Sequence, residues 1–147
     1  MAGDPSVIEW GVTLEAPDPR MYVEALQAAS FMPFDGPSVT IENAGSVAVP
    51  VVVEISSGDG TVAAIENVTT GERIAFAPSL VMDTSRHIVA DTGARTLTDD
   101  GDPAPQFVDA SETTWFELAP GSNEIGLDVT GASADLEVLL TWRDGWL

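Results

Sequence analysis

Val47-Ala48-Val49-Pro50-Val51-Val52-Val53-Glu54-Ile55 places a branched apolar residue at every odd position from 47 to 55. Side chains two apart on a strand share a face, so this run predicts a half-buried β-strand. Pro50 has no N–H to give to a ladder and is expected to face a sheet edge or a bulge. Asn43-Ala44-Gly45-Ser46 turns the chain into this strand from a shorter run carrying Val39 and Ile41. Further back, Ile8, Trp10, Val12 and Leu14 alternate with Glu9, Gly11, Thr13 and Glu15 until the prolines at 17 and 19 end the pattern.

Downstream the same logic repeats. Past Ser56-Ser57-Gly58-Asp59-Gly60, residues Val62 to Val68 lead through Thr70-Gly71 to Ile74 and Phe76, a hairpin closed by a glycine-containing turn. Ile88-Val89-Ala90 returns through Asp91-Thr92-Gly93-Ala94 to Thr96-Leu97, with Gly93 available for a positive φ. Asp99 to Glu112 is a polar stretch longer than most connections, and such loops are commonly functional or mobile. Trp115-Phe116-Glu117-Leu118 is β again and sends one large ring to each face, one into the core and one over a loop or a neighbour. Pro120-Gly121 supplies a type II turn whose backbone Asn123 can bind. Ile125, Leu127 and Val129, then Leu136, Val138, Leu140 and Trp142, complete the alternation, with Trp142 expected in the core. Only Tyr22 to Ser30, where Tyr22, Leu26 and Ala29 have helical spacing, offers a helix as an equal alternative. The whole predicts an all-β fold, a two-sheet antiparallel β-sandwich or jelly roll. Residues 1–37 form an N-terminal strand and linker segment and 38–147 the sandwich domain.

Composition narrows the function. Twenty-four acidic residues against five arginines and no lysine give a formal charge of −19. Such a surface repels phosphate backbones, so nucleic acid is excluded as a partner. No apolar run approaches the roughly 20 residues of a membrane-spanning helix, so membrane insertion is not expected. The acidity has three readings: solubility, a high-salt host, or the gathering of cations. With no cysteine, disulfides, zinc thiolates and thiol nucleophiles are absent together.

Several ordered elements resemble one family, the siphovirus distal tail proteins, over their C-terminal domain. Val12-Thr13-Leu14-Glu15-Ala16-Pro17-Asp18-Pro19-Arg20 is similar to the family's exit from its N-terminal hub domain. Asn43-Ala44-Gly45, Ile65-Glu66-Asn67-Val68-Thr69-Thr70-Gly71, Leu80-Val81-Met82-Asp83-Thr84, Trp115 to Asn123 and Trp142-Arg143-Asp144-Gly145-Trp146-Leu147 follow in the family's order. The resemblance implies a galectin-like sandwich that is a structural part of a virion tail, assembled in the host cytoplasm with other tail proteins and with copies of itself. It also implies that the ring-forming hub domain is missing from this sequence, so ring formation is not carried over.

Chemistry is weighed against that background. Asp83, Ser85 and His87 collect the residue types of a hydrolase triad, but side chains two apart on a strand stand roughly 6 to 7 Å apart, too far for the required hydrogen-bond chain. Paired carboxylates for glycoside hydrolysis carry no weight where 24 acids satisfy any distance. No catalytic residue and no resident cofactor are therefore expected. Asp99, Asp100 and Asp102 around Gly101 offer hard oxygen ligands for calcium, though without the twelve-residue EF-hand spacing. Trp10, Trp115 and Trp146 are the aromatic candidates for an interface or a ligand. Exposed beside an acidic cleft, such a ring suits a cell-surface glycan and the alternative function of a carbohydrate-binding module; in a flat apolar patch it suits subunit packing.

Overall fold

The computed structural model describes residues 21–22 and 25–147. The strand expected at Ile8 to Leu14, with Trp10 in it, lies outside the described residues. Twelve strands follow: β1 (Met21–Tyr22), β2 (Gln27–Phe31), β3 (Ser38–Asn43), β4 (Val51–Ser56), β5 (Gly60–Asn67), β6 (Glu72–Met82), β7 (Ile88–Asp91), β8 (Thr96–Asp99), β9 (Asp102–Pro103), β10 (Gly121–Thr130), β11 (Glu137–Trp142) and β12 (Gly145–Trp146). One 3-10 turn, Pro105–Phe107, precedes β10.

The pairing is antiparallel throughout and makes two main sheets. One has four strands in the order β3-β10-β5-β6, the other six in the order β2-β11-β4-β7-β8-β9, and β1 with β12 forms a separate two-stranded ribbon. Alternation decides which face each strand buries. Val51, Val53 and Ile55 of β4 are buried while Val52, Glu54 and Ser56 are not, and Val138, Leu140 and Trp142 do the same on β11. From the four-stranded sheet, Ile41, Val62, Ile65, Ile74, Ile125 and Leu127 join the same buried cluster. Each such side chain removed from water contributes about 1.5 to 3 kcal/mol, and their sum holds the sheets face to face. Both expected hairpins form, as β5–β6 and β7–β8.

Several expectations are corrected. The described part of the stretch from Tyr22 to Ser30 is not helical: Gln27–Phe31 pairs residue by residue with β11, from Val138 opposite Phe31 to Trp142 opposite Gln27. A nine-residue helix is marginal alone, whereas β11 offers an open edge and a core that takes Ala29 and Phe31. The six-stranded sheet thus draws a strand from before residue 38. Pro50 lies outside a strand, since Val49 makes an isolated bridge to Leu118 and the ladder of β4 begins at Val51. In the β7–β8 turn the positive φ falls on Arg95, at 58°, and not on Gly93. Gly93 is used for space, because a Cβ there would lie 3.0 Å from Cβ of Pro50. Trp115 to Leu118 forms no ladder beyond the Leu118 bridge, and the polar stretch after Asp99 contains β9 and the 3-10 turn.

The chain end is fastened to the turn before β4. Gly145 carbonyl accepts from Ser46 N–H at 2.9 Å, the buried Asp144 carboxylate accepts from Ala44 N–H at 3.1 Å, and Asn43 donates its side-chain amide to the carbonyls of Val47 and Leu118. Gly45 and Gly145 meet so closely that a Cβ on Gly45 would collide with the backbone of Gly145. Gly45→Ala is therefore expected to cost about 3 kcal/mol of stability in urea unfolding. Gly36→Ala, at a site with open space, should change stability by no more than about 0.5 kcal/mol.

Candidate functional site

Three returns of the chain build one cleft. The first is the β7–β8 turn. Asp91 Oδ1 accepts from the N–H groups of Gly93 and Ala94 at 2.9 and 3.1 Å. The buried Thr92 is tied to the start of β4 twice: its hydroxyl accepts from Val51 N–H at 2.8 Å, and its own N–H donates to Val51 carbonyl. Arg95, in the left-handed conformation, closes the turn with its side chain exposed. The second return is the β5–β6 turn, where Gly71 takes a φ of 82° and the Thr70 hydroxyl donates to the Glu72 carboxylate at 3.0 Å.

The third return is the extended segment from Thr113 to Ala119. Its upstream end is held by Thr113 Oγ1, which accepts from Ala75 N–H at 2.9 Å, and by Thr114 N–H, which donates to Arg73 carbonyl at 2.8 Å. Downstream, Leu118 exchanges backbone hydrogen bonds with Val49 at 2.7 and 3.0 Å, and Asn123 binds the turn through Ala119 N–H and the carbonyls of Ala119 and Gly121. Between these anchors the alternation expected of the two rings is realised: Phe116 is buried and Trp115 is half-buried. The resulting cleft has a volume of about 740 Å³, with Pro50, Glu72, Arg95, Trp115 and Glu117 in its walls. Trp115 and Arg95 also line a second hollow of about 320 Å³ with Pro103 and Pro105.

Trp146 lies elsewhere. It pairs with Met21 across the β1–β12 ribbon and is 41% exposed, next to Leu147 at 82%. Met21, Tyr22 and Leu26 are also exposed there, and Tyr22 and Leu26 edge a hollow of about 330 Å³ over Trp142 and Val52. Trp142 is in the core as expected, although its buried indole N–H has no hydrogen-bond partner among the described residues.

The three aspartates proposed for calcium are directed to separate tasks. Asp99 receives a forked ion pair from Arg86, with Nη2 to Oδ2 at 2.7 Å. Asp100 accepts from His87 N–H at 2.8 Å, and Asp102 is exposed on β9. Among the described residues no three acidic or histidine side chains converge as a metal-binding group.

Asp83, Ser85 and His87 sit in a turn and not on a strand. Asp83 accepts from the Ser85 hydroxyl at 2.7 Å and from the N–H groups of Ser85 and Arg86, while His87 Nε2 lies 2.9 Å from Glu54. The relay of a triad is broken because the imidazole is engaged away from the serine.

Hydrogen bonds from Ser85, the hydroxyl foremost, hold the Asp83 carboxyl below its ordinary value of 3.8. A lowered folded value means that the turn is stabilised fully above about pH 4 and progressively loses that stabilisation as pH falls through the folded value. Arg86 is held above its ordinary range chiefly by its hydrogen bonds to Asp99. It also donates to Val81 carbonyl at 2.8 Å and lies 5.2 Å from the Phe107 ring centre, so it joins the turn, β8 and the 3-10 turn. Arg86→Ala should lower stability by about 2 kcal/mol in denaturant unfolding, with Asp99→Asn in the same direction and smaller.

No curated protein matches the sequence. In structure the chain is similar to the crystal structure of the SPP1 Dit protein, described as a paradigm of the hub adsorption apparatus in phages infecting Gram-positive bacteria. The likeness has a TM-score of 0.59 at 9% identity and covers 89% of this chain and 50% of that one, so this chain spans about half the length of that protein. At that identity it speaks to the fold alone. The family model described as "Siphovirus-type tail component, C-terminal domain" matches residues 44–146. A match over most of the chain, on a sandwich of this topology, means that the protein belongs to the siphovirus-type tail component family and is a structural protein of the virion tail.

Proposed function

We propose that this domain works as a rigid docking module of the tail, joining other tail proteins and further copies of itself through the apolar corner around the β1–β12 ribbon. The observation that carries this reading is the gathering of Met21, Tyr22, Leu26, Trp146 and Leu147 as exposed side chains where the first and last described strands pair. Apolar surface collected in one place on a soluble domain marks a contact site, and the sandwich behind it supplies a fixed shape. The charge of −19 opposes association until salt screens it. A second reading is favoured by the Trp115 cleft, where a half-buried ring stands among Arg95, Glu72 and Glu117: recognition of a cell-surface glycan, in keeping with an adsorption role.

The first reading is tested by light scattering coupled to size exclusion. The chain should gain mass as sodium chloride rises from about 0.05 to 1 M, as the range of repulsion falls from over 10 Å to about 3 Å. The double variant W146S/L147S should remain a monomer across the same range. Association of that variant at the wild-type level would refute the corner as the self-contact.

A further inference from the structure

We infer that the Arg95–Trp115 divide is the binding site for a neutral oligosaccharide, one of whose rings stacks on Trp115 while Arg95 and Glu72 bracket its hydroxyls. This rests on the glycan reading above and assigns it a place and a ligand class.

Charge bookkeeping makes Arg95 unusual. Arg73 bridges Glu66 and Asp128 at 3.1 and 3.0 Å, Arg86 is paired with Asp99, and the Arg143 side chain lies by the other hollow. Arg95 makes no ion pair with any described carboxylate. It is nevertheless held in place: its backbone carries a φ of 58°, and the turn around it is bonded to Asp91 and packed on Pro50. A guanidinium presented by a braced turn keeps its five donors for something else.

The neighbours specify what that is. Trp115 offers a flat apolar ring, half-buried against the core on a backbone anchored at both ends, and aromatic faces stack on the C–H face of a pyranose. Glu72 is a pure acceptor and Arg95 a pure donor. A sugar hydroxyl both donates and accepts, so adjacent hydroxyls satisfy the two together. An anionic ligand would use Arg95 alone and would be repelled by Glu72, by Glu117 and by the overall charge. The ligand class is therefore a neutral saccharide and not a uronate or a phosphate polymer. Because Trp115 and Arg95 line the hollows on both sides, of about 740 and 320 Å³, a linear chain can cross the divide with neighbouring rings in each, which favours an oligosaccharide over a single sugar.

The test is titration of the isotope-labelled chain with neutral tetrasaccharides of glucose, galactose, mannose and N-acetylglucosamine, with tetragalacturonate as the acidic comparison, following the four indole N–H signals by NMR. At least one neutral tetrasaccharide should move the Trp115 signal saturably, with a dissociation constant of about 1 mM or tighter, and should bind at least tenfold better than the uronate. Arg95→Ala, at an exposed side chain, and Glu72→Gln, at a half-buried one that keeps an acceptor for the Thr70 hydroxyl, should each weaken binding about tenfold at an unchanged unfolding midpoint, whereas Arg73→Ala should leave it unchanged. Binding that moves another tryptophan and not Trp115 would overturn the site while leaving glycan recognition standing. A uronate that binds as well as the neutral chains would overturn the ligand class. No binding by any of them would overturn both this inference and the glycan reading, and would leave the docking role of the β1–β12 corner untouched.

Discussion

Both main sheets are completed from within by the last long strands of the chain. β10 inserts between β3 and β5, and β11 inserts between β2 and β4. Until residues 121–142 arrive, β3 and β2 have no neighbour in their sheets, and β4 and β5 have an open side that faces water. An unpaired backbone donor or acceptor costs free energy once buried, so neither half of the sandwich is stable alone. The core depends on the same insertion, because Leu127, Val138 and Leu140 fill it from these two strands. Contacts of such long sequence separation also make closure entropy a large part of the folding barrier. The fastening of Gly145 and Asp144 to the turn at Asn43–Ser46 belongs to the same interleaving.

Interleaving is also what makes a surface site. The cleft has walls from residues 50, 72, 95 and 115–117, four segments well separated in sequence. Each wall is braced by hydrogen bonds to the sheets: Thr92 to Val51, Thr113 to Ala75, Leu118 to Val49. Loops held in this way lose little further freedom when they meet a ligand or a protein, and that saving is where a β-sandwich gains affinity from modest contact area. The charge distribution works in the same direction. Arg73 and Arg86 cross-link strands and turns against a heavily acidic surface, so the structural cations are already committed and Arg95 stands apart from them.

What the sequence disclosed follows a physical line. Features decided within about ten residues were legible: the two hairpins, the Pro120-Gly121 turn with Asn123 folded back on it, the burial of Trp142, and the division of Trp115 from Phe116, though not which of the two rings is buried. Features decided by a distant partner were not. Gln27–Phe31 became a strand because β11 needed an edge partner, which no local spacing announces. Pro50 left the ladder because its place is against Gly93, and that contact in turn explains a glycine whose φ is ordinary. The candidate site was half legible. Trp115 could be named from its alternation with Phe116, but Arg95 carries no local signal, and its approach to a residue twenty positions later depends on how β8 and the 3-10 turn return the chain. Asp99, Asp100 and Asp102 look like a ligand set in sequence, whereas the engagement of Asp99 by Arg86 and of Asp100 by the His87 amide carries no local signal.

Pro50 lines both the Trp115 cleft and the hollow over Trp142, so the two proposed contact regions share a wall. A tail protein seated at the β1–β12 corner would therefore lie close to whatever occupies the cleft. The shared element is stiff: proline has a fixed φ, Gly93 packs against it, and Val51 beside it is bonded to Thr92. A displacement of Pro50 on either side would have to move the β7–β8 turn, and with it Arg95. The corner and the cleft are thus connected through a packed contact and a pair of hydrogen bonds, a physical link of the kind that permits binding at one to bias the other. A coupling requires the turn to have a second arrangement of comparable energy, and the bracing by Asp91, Thr92 and Pro50 argues for a single one. On that ground the two regions are best understood as independent surfaces on one rigid frame, which is what a structural module of a tail requires if it must hold its neighbours in a fixed geometry while meeting a variable cell surface.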